Sequence, residues 1–338
     1  MDEMMEKIQS IPKKIWGIGS VVFGLLTIIA YGFSSYLDKI EVGDISNWYH
    51  TIINICPQII KLADFKGKWV FIVATGVFIL LFLTSLIYRK RLFLIRHQTM
   101  AYDLAKIDKS VKHKYWIKEH ILQQTGQIHS DNIENNVIKE IDTLALEAQK
   151  SKKQIAYYGI AHTPLIFRLG FKIGDQNNVV LLHKKRNNAS LFEEWKNEKS
   201  GIKVISREEN KKKNSKELIV AISTSFEIKK EHLRLLHPES KHMLFLVTNY
   251  LDFDSILSYD DAEALRADIL FNIREINKKY KIEKVHMVIS SSVAFTFFLA
   301  QGYSAQHDPE IVVYHYEHEN YSWGIEINKK PENAFVKL

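Results

Sequence analysis

The hydrophobic residues divide this chain into a membrane-like N-terminal part and a longer part of ordinary globular pattern. Two stretches, residues 15–37 and 69–88, contain 23 and 20 residues without a charge. A helix rises about 1.5 Å per residue, so each stretch is long enough to cross a hydrocarbon core of roughly 30 Å. We therefore predict a two-helix transmembrane hairpin over residues 1–88. A cleaved signal peptide would account for the first stretch only.

Basic residues flank the outer ends of this predicted hairpin. Lys7, Lys13 and Lys14 precede the first span, and Arg89 and Arg91 follow the second. Cytoplasmic flanks of membrane helices are enriched in Lys and Arg, so we predict that both termini are cytoplasmic. Neither span contains an ionisable residue, which makes transport by the hairpin alone an unfavoured interpretation.

Small residues recur at spacings of three and four along the first span. They are Gly17, Ser20, Gly24 and Thr27. At this spacing they share one side of the helix, where a neighbouring helix can approach closely. The pattern predicts membrane-helix packing, either within the hairpin or between copies of the chain.

Beyond residue 88 the pattern changes twice. Residues 89–150 carry apolar positions at mixed spacings of three and four, which predicts a helical connector. Residues 151–338 alternate short β-rich runs with helical stretches, which predicts an α/β domain with a mainly parallel sheet covered by helices. The β-rich runs are 155–158, 179–182, 218–222, 243–247, 285–289 and 311–316, with a short terminal strand at 325–327.

Part of the α/β pattern occurs twice, displaced by 132 positions. Without a gap, Gly302 aligns with Gly170, His315 with His183, and the run 311–315 with 179–183. Few positions are identical, so chance similarity between two strand–helix–strand units is an alternative. A true duplication predicts two pseudo-symmetric, Rossmann-like halves with a ligand crevice where they meet.

Composition and charge add two constraints. The net charge is +7, and residues 1–88 hold seven Lys against seven Asp and Glu, so the whole excess lies in residues 89–338. An anionic partner for the C-terminal part is therefore plausible. Cys56 is the single cysteine, which excludes an intramolecular disulfide and a cysteine-rich metal site. His315 and Glu317 could share one strand face, with His318 nearby, but the sequence places no third ligand with that pair, so we expect no metal.

Candidate ligand-binding residues follow the β-rich runs, because open α/β sheets bind ligands beyond the carboxyl ends of their strands. Hydroxyls and amides at helix starts, together with basic residues, suit phosphate oxygens, and aromatic rings can stack on bases. The candidates are Tyr158, His162, Thr163, Pro164, Lys184, Arg186, Ser223, Thr224, Ser225, Phe226, Thr248, Asn249, Tyr250, Ser290, Ser291 and Ser292.

These candidates have a purely structural alternative. Ser and Thr before a helix commonly cap it, and a basic turn such as that around Lys184 is commonly solvated. No Walker loop, HExxH or G-x-S-x-G motif occurs, and the serines at 290–292 have no evident base beside them. A binding module is therefore favoured over an enzyme, and we expect no catalytic residues and no cofactor.

Several strings resemble the SAVED sensor domain of CBASS antiphage systems, which is related to a fusion of two CARF-like halves. The second half carries VHMVISSSVAFTFFLAQGY, EIVVYHYE and NYSWGIEI. The first half matches more loosely through AHTPLIFRLG and NNVVLLHKKR. The resemblance covers about residues 150–330.

Together with the two predicted spans, the resemblance implies a multi-pass effector of the inner membrane. Such proteins bind a cyclic oligonucleotide, expected here to be a cyclic di- or trinucleotide, made by a partner nucleotidyltransferase. They then form homo-oligomers and disrupt the membrane, which ends in abortive infection; no DNA or RNA polymer is expected as a partner. The alternative is a membrane-tethered enzyme of nucleotide or cyclic-oligonucleotide turnover, which would need a general base among the loop residues.

Overall fold

A computed structural model describes residues 90–101, 106–125, 128–129, 132–133, 135–175, 179–184, 191–195, 201–209, 215–256 and 258–338. Both predicted membrane spans, and with them Gly17, Ser20, Gly24 and Thr27, lie outside these residues. Within the described ranges, no helix has the length and apolar character needed to cross a membrane.

The described residues form five α-helices and fifteen strands. The helices are α1 (Lys109–Lys114), α2 (Asn135–Lys150), α3 (Thr163–Ile173), α4 (Tyr259–Tyr280) and α5 (Val293–Gln301). The strands are β1 (Lys90–Gln98), β2 (Lys106–Ile107), β3 (Tyr115–Gln123), β4 (Ile128–His129), β5 (Asn132–Ile133), β6 (Gln154–Ile160), β7 (Val180–Lys184), β8 (Leu191–Glu194), β9 (Val204–Glu209), β10 (Glu217–Ser223), β11 (His242–Thr248), β12 (Lys284–Ser290), β13 (Glu310–Glu317), β14 (Asn320–Glu326) and β15 (Phe335–Lys337). Short 3-10 helices span Lys230–Leu236, Pro238–Ser240 and Pro331–Asn333.

Two sheets of matching topology make up the fold. The first has the order β2-β8-β7-β6-β1-β3, and the second has the order β15-β14-β13-β12-β10-β11-β9. In each sheet four neighbouring strands are parallel, namely β7-β6-β1-β3 and β13-β12-β10-β11, and an antiparallel strand, β8 or β14, follows. The predicted α/β fold built from two similar halves is confirmed.

The predicted helical connector over residues 89–150 is wrong for most of its length. Only α1 and α2 are α-helical there, whereas β3 is the edge strand of the first sheet and β1 is the strand next to it. Residues 92–95 are buried on both faces of that sheet, so they form a continuous apolar run without the alternation that marks a half-exposed strand. The first half therefore begins at β1, and a boundary at residue 151 would cut through it.

The duplication is real in topology, but its spacing is not uniform. Strands β6 and β12 are offset by 130 positions, because β6 begins at Gln154 and β12 begins at Lys284. Strands β7 and β13 differ by 132, because Leu181 pairs with Tyr157 as Val313 pairs with Met287. The gapless alignment is therefore correct for the second strand of the unit and shifted by two residues in the first. Strands β1 and β10 differ by 125, from the pairings of Gln98 with Ile160 and of Ser223 with Ser290.

Helices α3 and α5 cross at close range where the two halves meet. A Cβ at Gly170 would collide with the carbonyl oxygen of Phe297, and the Ala300 methyl lies close as well. Gly302 instead faces Leu270 of α4. One apolar core contains inward-facing residues of both sheets, such as Tyr157 and Met287, so the two halves form a common packed structure.

Arg168 of α3 ties the two halves together in this core. Its side chain is fully buried, and it donates to both carboxylate oxygens of Asp142 at 2.8 and 2.7 Å. The remaining N–H groups donate to the carbonyls of Glu326 and Ile327, each at 3.3 Å, and of Lys329 at 3.0 Å. All five donors of the guanidinium group are thus used, and they hold α2 and α3 against the end of β14.

Candidate functional site

The same backbone turn follows the central strand in each half. In the first half the amides of Thr99 and Met100 donate to the Ile160 carbonyl at 3.1 and 3.4 Å. In the second half the amides of Thr224 and Ser225 donate to the Ser290 carbonyl at 2.8 and 3.0 Å. Both turns lie at the carboxyl ends of parallel strands, where ligands of open α/β sheets bind.

The second-half turn gathers the predicted hydroxyl groups, which we call the serine cluster (Ser223, Thr224, Ser225, Phe226, Ser290, Ser291 and Ser292). The Thr224 hydroxyl donates to Ser291 Oγ at 2.8 Å, and the Phe226 amide donates to Ser290 Oγ at 3.0 Å. Ser225 is only 6% exposed, and its Oγ has no hydrogen-bond partner among the described residues. The structure therefore brings these candidate residues together.

Two of these hydroxyls hold backbone amides in place, which is the structural alternative to ligand binding given by the sequence. Ser292 caps α5 by accepting from the Phe295 amide at 3.3 Å, and Ser223 Oγ accepts from the Ile228 amide at 2.9 Å. Both oxygens are thus engaged in holding the loop. Ser291, which is half-buried, keeps its hydroxyl proton after accepting from Thr224 and is the better placed to donate to a ligand.

Residues after β11 contribute backbone support and exposed aromatic surface. Thr248 Oγ1 donates to the Tyr250 carbonyl at 2.8 Å, and Asn249 Oδ1 accepts from the Lys203 amide at 2.9 Å. The rings of Tyr250 and Phe226 are 61% and 56% exposed. Exposed rings at a strand's carboxyl end are available for stacking on a base.

His183 of β7 in the first half contacts the loop that is held on the serine cluster. Its Nε2 lies 2.9 Å from Asp254 Oδ1. The loop that carries Asp254 is held on Thr224, whose carbonyl accepts from the Asp252 amide and the Ser255 hydroxyl, each at 3.1 Å. Lys184, at the end of the same strand, is half-buried, and Arg186 lies outside the described residues.

The first-half turn carries a second group of residues, which we call the histidine cluster (Thr99, His162, His315, Glu317 and Trp323). Thr99 Oγ1 accepts from the His162 amide at 2.8 Å and lies 2.6 Å from His162 Nδ1. The ring centroids of His162 and His315 are 4.5 Å apart, and that of Trp323 is 5.7 Å from His162. His315 and Trp323 come from β13 and β14, so this cluster also joins the two halves.

Burial keeps the imidazoles of the histidine cluster uncharged. It lowers the pKa of His162 to about 4, although the nearby Glu317 carboxylate raises it in part. Burial, with a smaller effect of His162, lowers the pKa of His315 to about 3. At neutral pH these rings therefore act as neutral donors and acceptors and not as cations.

Comparison with known proteins identifies the family of this fold. A family model described as "SMODS-associated and fused to various effectors sensor domain", or SAVED, matches residues 137–327, which is more than half of the chain. The chain belongs to the SAVED family. No protein of curated function matches the sequence.

Solved SAVED structures share the fold at low sequence identity. One is the Acinetobacter baumannii Cap4 SAVED/CARF-domain containing receptor with the cyclic trinucleotide 2'3'3'-cAAA, at 15% identity and a TM-score of 0.50. It covers 68% of this chain and 50% of its own length. The same receptor with 3'3'3'-cAAA has 16% identity, coverage of 73% and 52%, and a TM-score of 0.49. The chain thus matches about half the length of these receptors.

Three predicted residues of the SAVED domain have structural roles. Tyr158 is 4% exposed, its ring packs edge-on against Phe192, and its hydroxyl donates to Glu119, so the prediction that it stacks on a base is corrected. Pro164 is buried in the first turn of α3, where its missing N–H is of no consequence. Thr163 is the first residue of that helix and is half-buried.

The sequence missed four members of the histidine cluster as ligand candidates. Thr99 was assigned to the helical connector, and His315 and Glu317 were considered only as metal ligands. Trp323 belonged to a string that carried the family resemblance, but no site role was given to it. A signal for Thr99 was the apolar run at residues 92–95, although Arg96, His97 and Gln98 separate Thr99 from that run.

Proposed function

We propose that this protein is the receptor of a CBASS antiphage system and binds a cyclic oligonucleotide made by a partner nucleotidyltransferase. The observation that carries the proposal is that the histidine cluster is built from both halves of a SAVED fold, and that His183 of the first half contacts the loop held on Thr224 of the serine cluster. A ligand that contacts both clusters would bind the halves simultaneously, and its binding energy would depend on how they are arranged.

The chemistry of the serine cluster suits a sugar–phosphate. Ser291 offers a hydroxyl proton beside the first turn of α5, and phosphate oxygens accept hydrogen bonds from such groups. Lys184 follows His183 on β7 and therefore points to the opposite face of the sheet, beside Phe192, so its charge does not contribute to this cluster. The exposed rings of Phe226 and Tyr250 offer stacking surfaces for bases.

The test is thermal unfolding of the full chain in detergent with a panel of cyclic di- and trinucleotides. A ligand that binds only the folded state at a free concentration 100 times its Kd stabilises the protein by about 2.7 kcal/mol. We expect at least one member to raise the melting temperature by about 5–10 °C. A panel without any shift would contradict the receptor proposal, and linear products after incubation would favour the alternative enzyme.

We also propose that residues 1–88 disrupt the membrane, as the sequence predicts. Two helices cannot enclose an aqueous lumen, so membrane disruption would require several copies brought together. The candidate ligand site lies in the globular domain, so ligand binding would determine when the copies associate. We therefore propose ligand-induced homo-oligomers in the inner membrane, with both termini cytoplasmic and without any catalytic step.

A further inference from the structure

The histidine cluster differs in chemistry from the serine cluster although the two occupy equivalent places. His162 follows β6 and precedes Ser292 by 130 positions, which is the offset between β6 and β12. His183 of β7 precedes His315 of β13 by 132 positions, which is the offset between those two strands. One turn therefore presents hydroxyls, and the other presents imidazoles, an indole and the carboxylate of Glu317. Equivalent positions with different groups are suited to different parts of one ligand.

Charge at the histidine cluster disfavours phosphate. Glu317 is half-buried and lies close enough to raise the pKa of His162 through its negative charge, while burial keeps His162 itself neutral. No lysine or arginine of the described residues forms an ion pair with Glu317. A carboxylate repels phosphate oxygens but accepts hydrogen bonds from amino groups. Ser322 occupies one of its oxygens at 2.7 Å, which leaves further acceptor sites.

Two nitrogens of this cluster are buried without a hydrogen-bond partner among the described residues. They are Nε1 of the fully buried Trp323 and Nδ1 of His315. Buried polar groups of native proteins nearly always have partners, so each such atom requires an explanation. The indole N–H is a donor only, and a ring nitrogen or carbonyl of a nucleobase is an acceptor of matching kind.

We propose that the histidine cluster is a nucleobase subsite that selects a base with an exocyclic amino group, which donates to Glu317. The indole of Trp323 and the imidazoles of His162 and His315 serve the remaining edge of the same base. The serine cluster receives the sugar–phosphate. This inference rests on the proposed binding of a cyclic oligonucleotide and adds which base is selected and by which residues.

The test compares rings whose bases carry or lack an exocyclic amino group; guanine and hypoxanthine differ in that group alone, whereas the change from adenine to hypoxanthine also turns ring nitrogen N1 from an acceptor into a donor. Hypoxanthine is adenine with the amino group replaced by oxygen, and it is also guanine without its amino group. Cyclic di- and trinucleotides of adenine, guanine and hypoxanthine, and of cytosine and uracil, are titrated into the full chain in detergent. We expect the tightest ring to carry amino groups and to bind about tenfold more tightly than its amino-free counterpart.

Glu317→Gln makes the test specific. Glutamine keeps a carbonyl oxygen for Ser322 but presents an amide donor in place of the carboxylate, so the preference should shrink or reverse towards the oxygen-bearing base. Glu310→Gln, exposed at the opposite end of β13, should leave the ratio unchanged. Equal affinity of the unmodified chain for both kinds of ring, or an unchanged ratio in Glu317→Gln, would overturn the inference. Failure of every ring to bind would overturn the proposed function instead.

Discussion

Replacing Arg168 by methionine should lower the free energy of unfolding by about 3–5 kcal/mol, the usual cost of breaking a buried ion pair from one side. The change removes five hydrogen bonds and leaves Asp142 with only the longer contact to Lys172, at 3.7 Å. Three backbone carbonyls at the end of β14 also lose a donor. In thermal unfolding of the full chain this corresponds to a decrease of about 10 °C.

Arg234→Met is the matched control for this substitution. Arg234 is exposed on the 3-10 helix Lys230–Leu236, so its replacement should change stability by no more than about 0.5 kcal/mol. One ordinary hydrogen bond contributes about 1 kcal/mol to stability. If the free energy of unfolding of Arg168→Met differs from that of the unmodified chain by less than about 1 kcal/mol, Arg168 does not join the halves as described. Because His162 directly precedes α3, we expect the folded Arg168 variant to bind ligand more weakly.

Replacing Gly24 by leucine should abolish ligand-induced leakage through the membrane while leaving ligand binding intact. The reason is steric: in the membrane helix predicted from the sequence, a small residue at position 24 would allow close approach of a neighbouring helix, and a leucine would prevent it. The measurement is dye release from liposomes that contain the full chain, before and after addition of the stabilising cyclic oligonucleotide. Oligomer size is followed in parallel and should rise before the dye is released.

Gly19→Leu is the control for Gly24→Leu, because five residues place it about 140° around the helix from Gly24, away from the stripe. It adds the same bulk to the same span and should permit leakage. Equal leakage from the unmodified chain and Gly24→Leu would show that the stripe is not the working interface. Leakage from the unmodified chain without ligand would remove ligand gating from the proposal.

Strands were predicted accurately from the sequence where buried strands alternate with helices. They were missed where a strand follows charged residues. Strands β10 to β13 were predicted within about two residues at each end, because each is a short apolar run bounded by polar residues. Strand β1 was missed because its basic first residues were interpreted as the flank of a membrane span. Strand β3 carries apolar residues at spacings that also fit a helix.

The candidate site could be predicted only where one half supplies it. The hydroxyls after β10 and β12 were candidates because they follow apolar runs, and they meet because β10 and β12 are parallel neighbours that end at the same sheet edge. Contacts between halves, such as His162 with His315, join residues more than 150 positions apart and depend on how α3 crosses α5. Local patterns carry no information on that crossing, and the two-residue shift in the repeat concealed which positions are equivalent.

Photochemical cross-linking tests most directly the central claim that one ligand contacts both halves of the SAVED fold. A cyclic trinucleotide with 8-azidoadenine bases is irradiated on the full chain, and the modified peptides are identified by mass spectrometry. We expect adducts both in residues 99–100 or 161–163 and in residues 224–226 or 290–292, all suppressed by unlabelled ligand. Adducts confined to one half, or to the surface groove between α4 and β9 around Ser206 and Lys279, would contradict it.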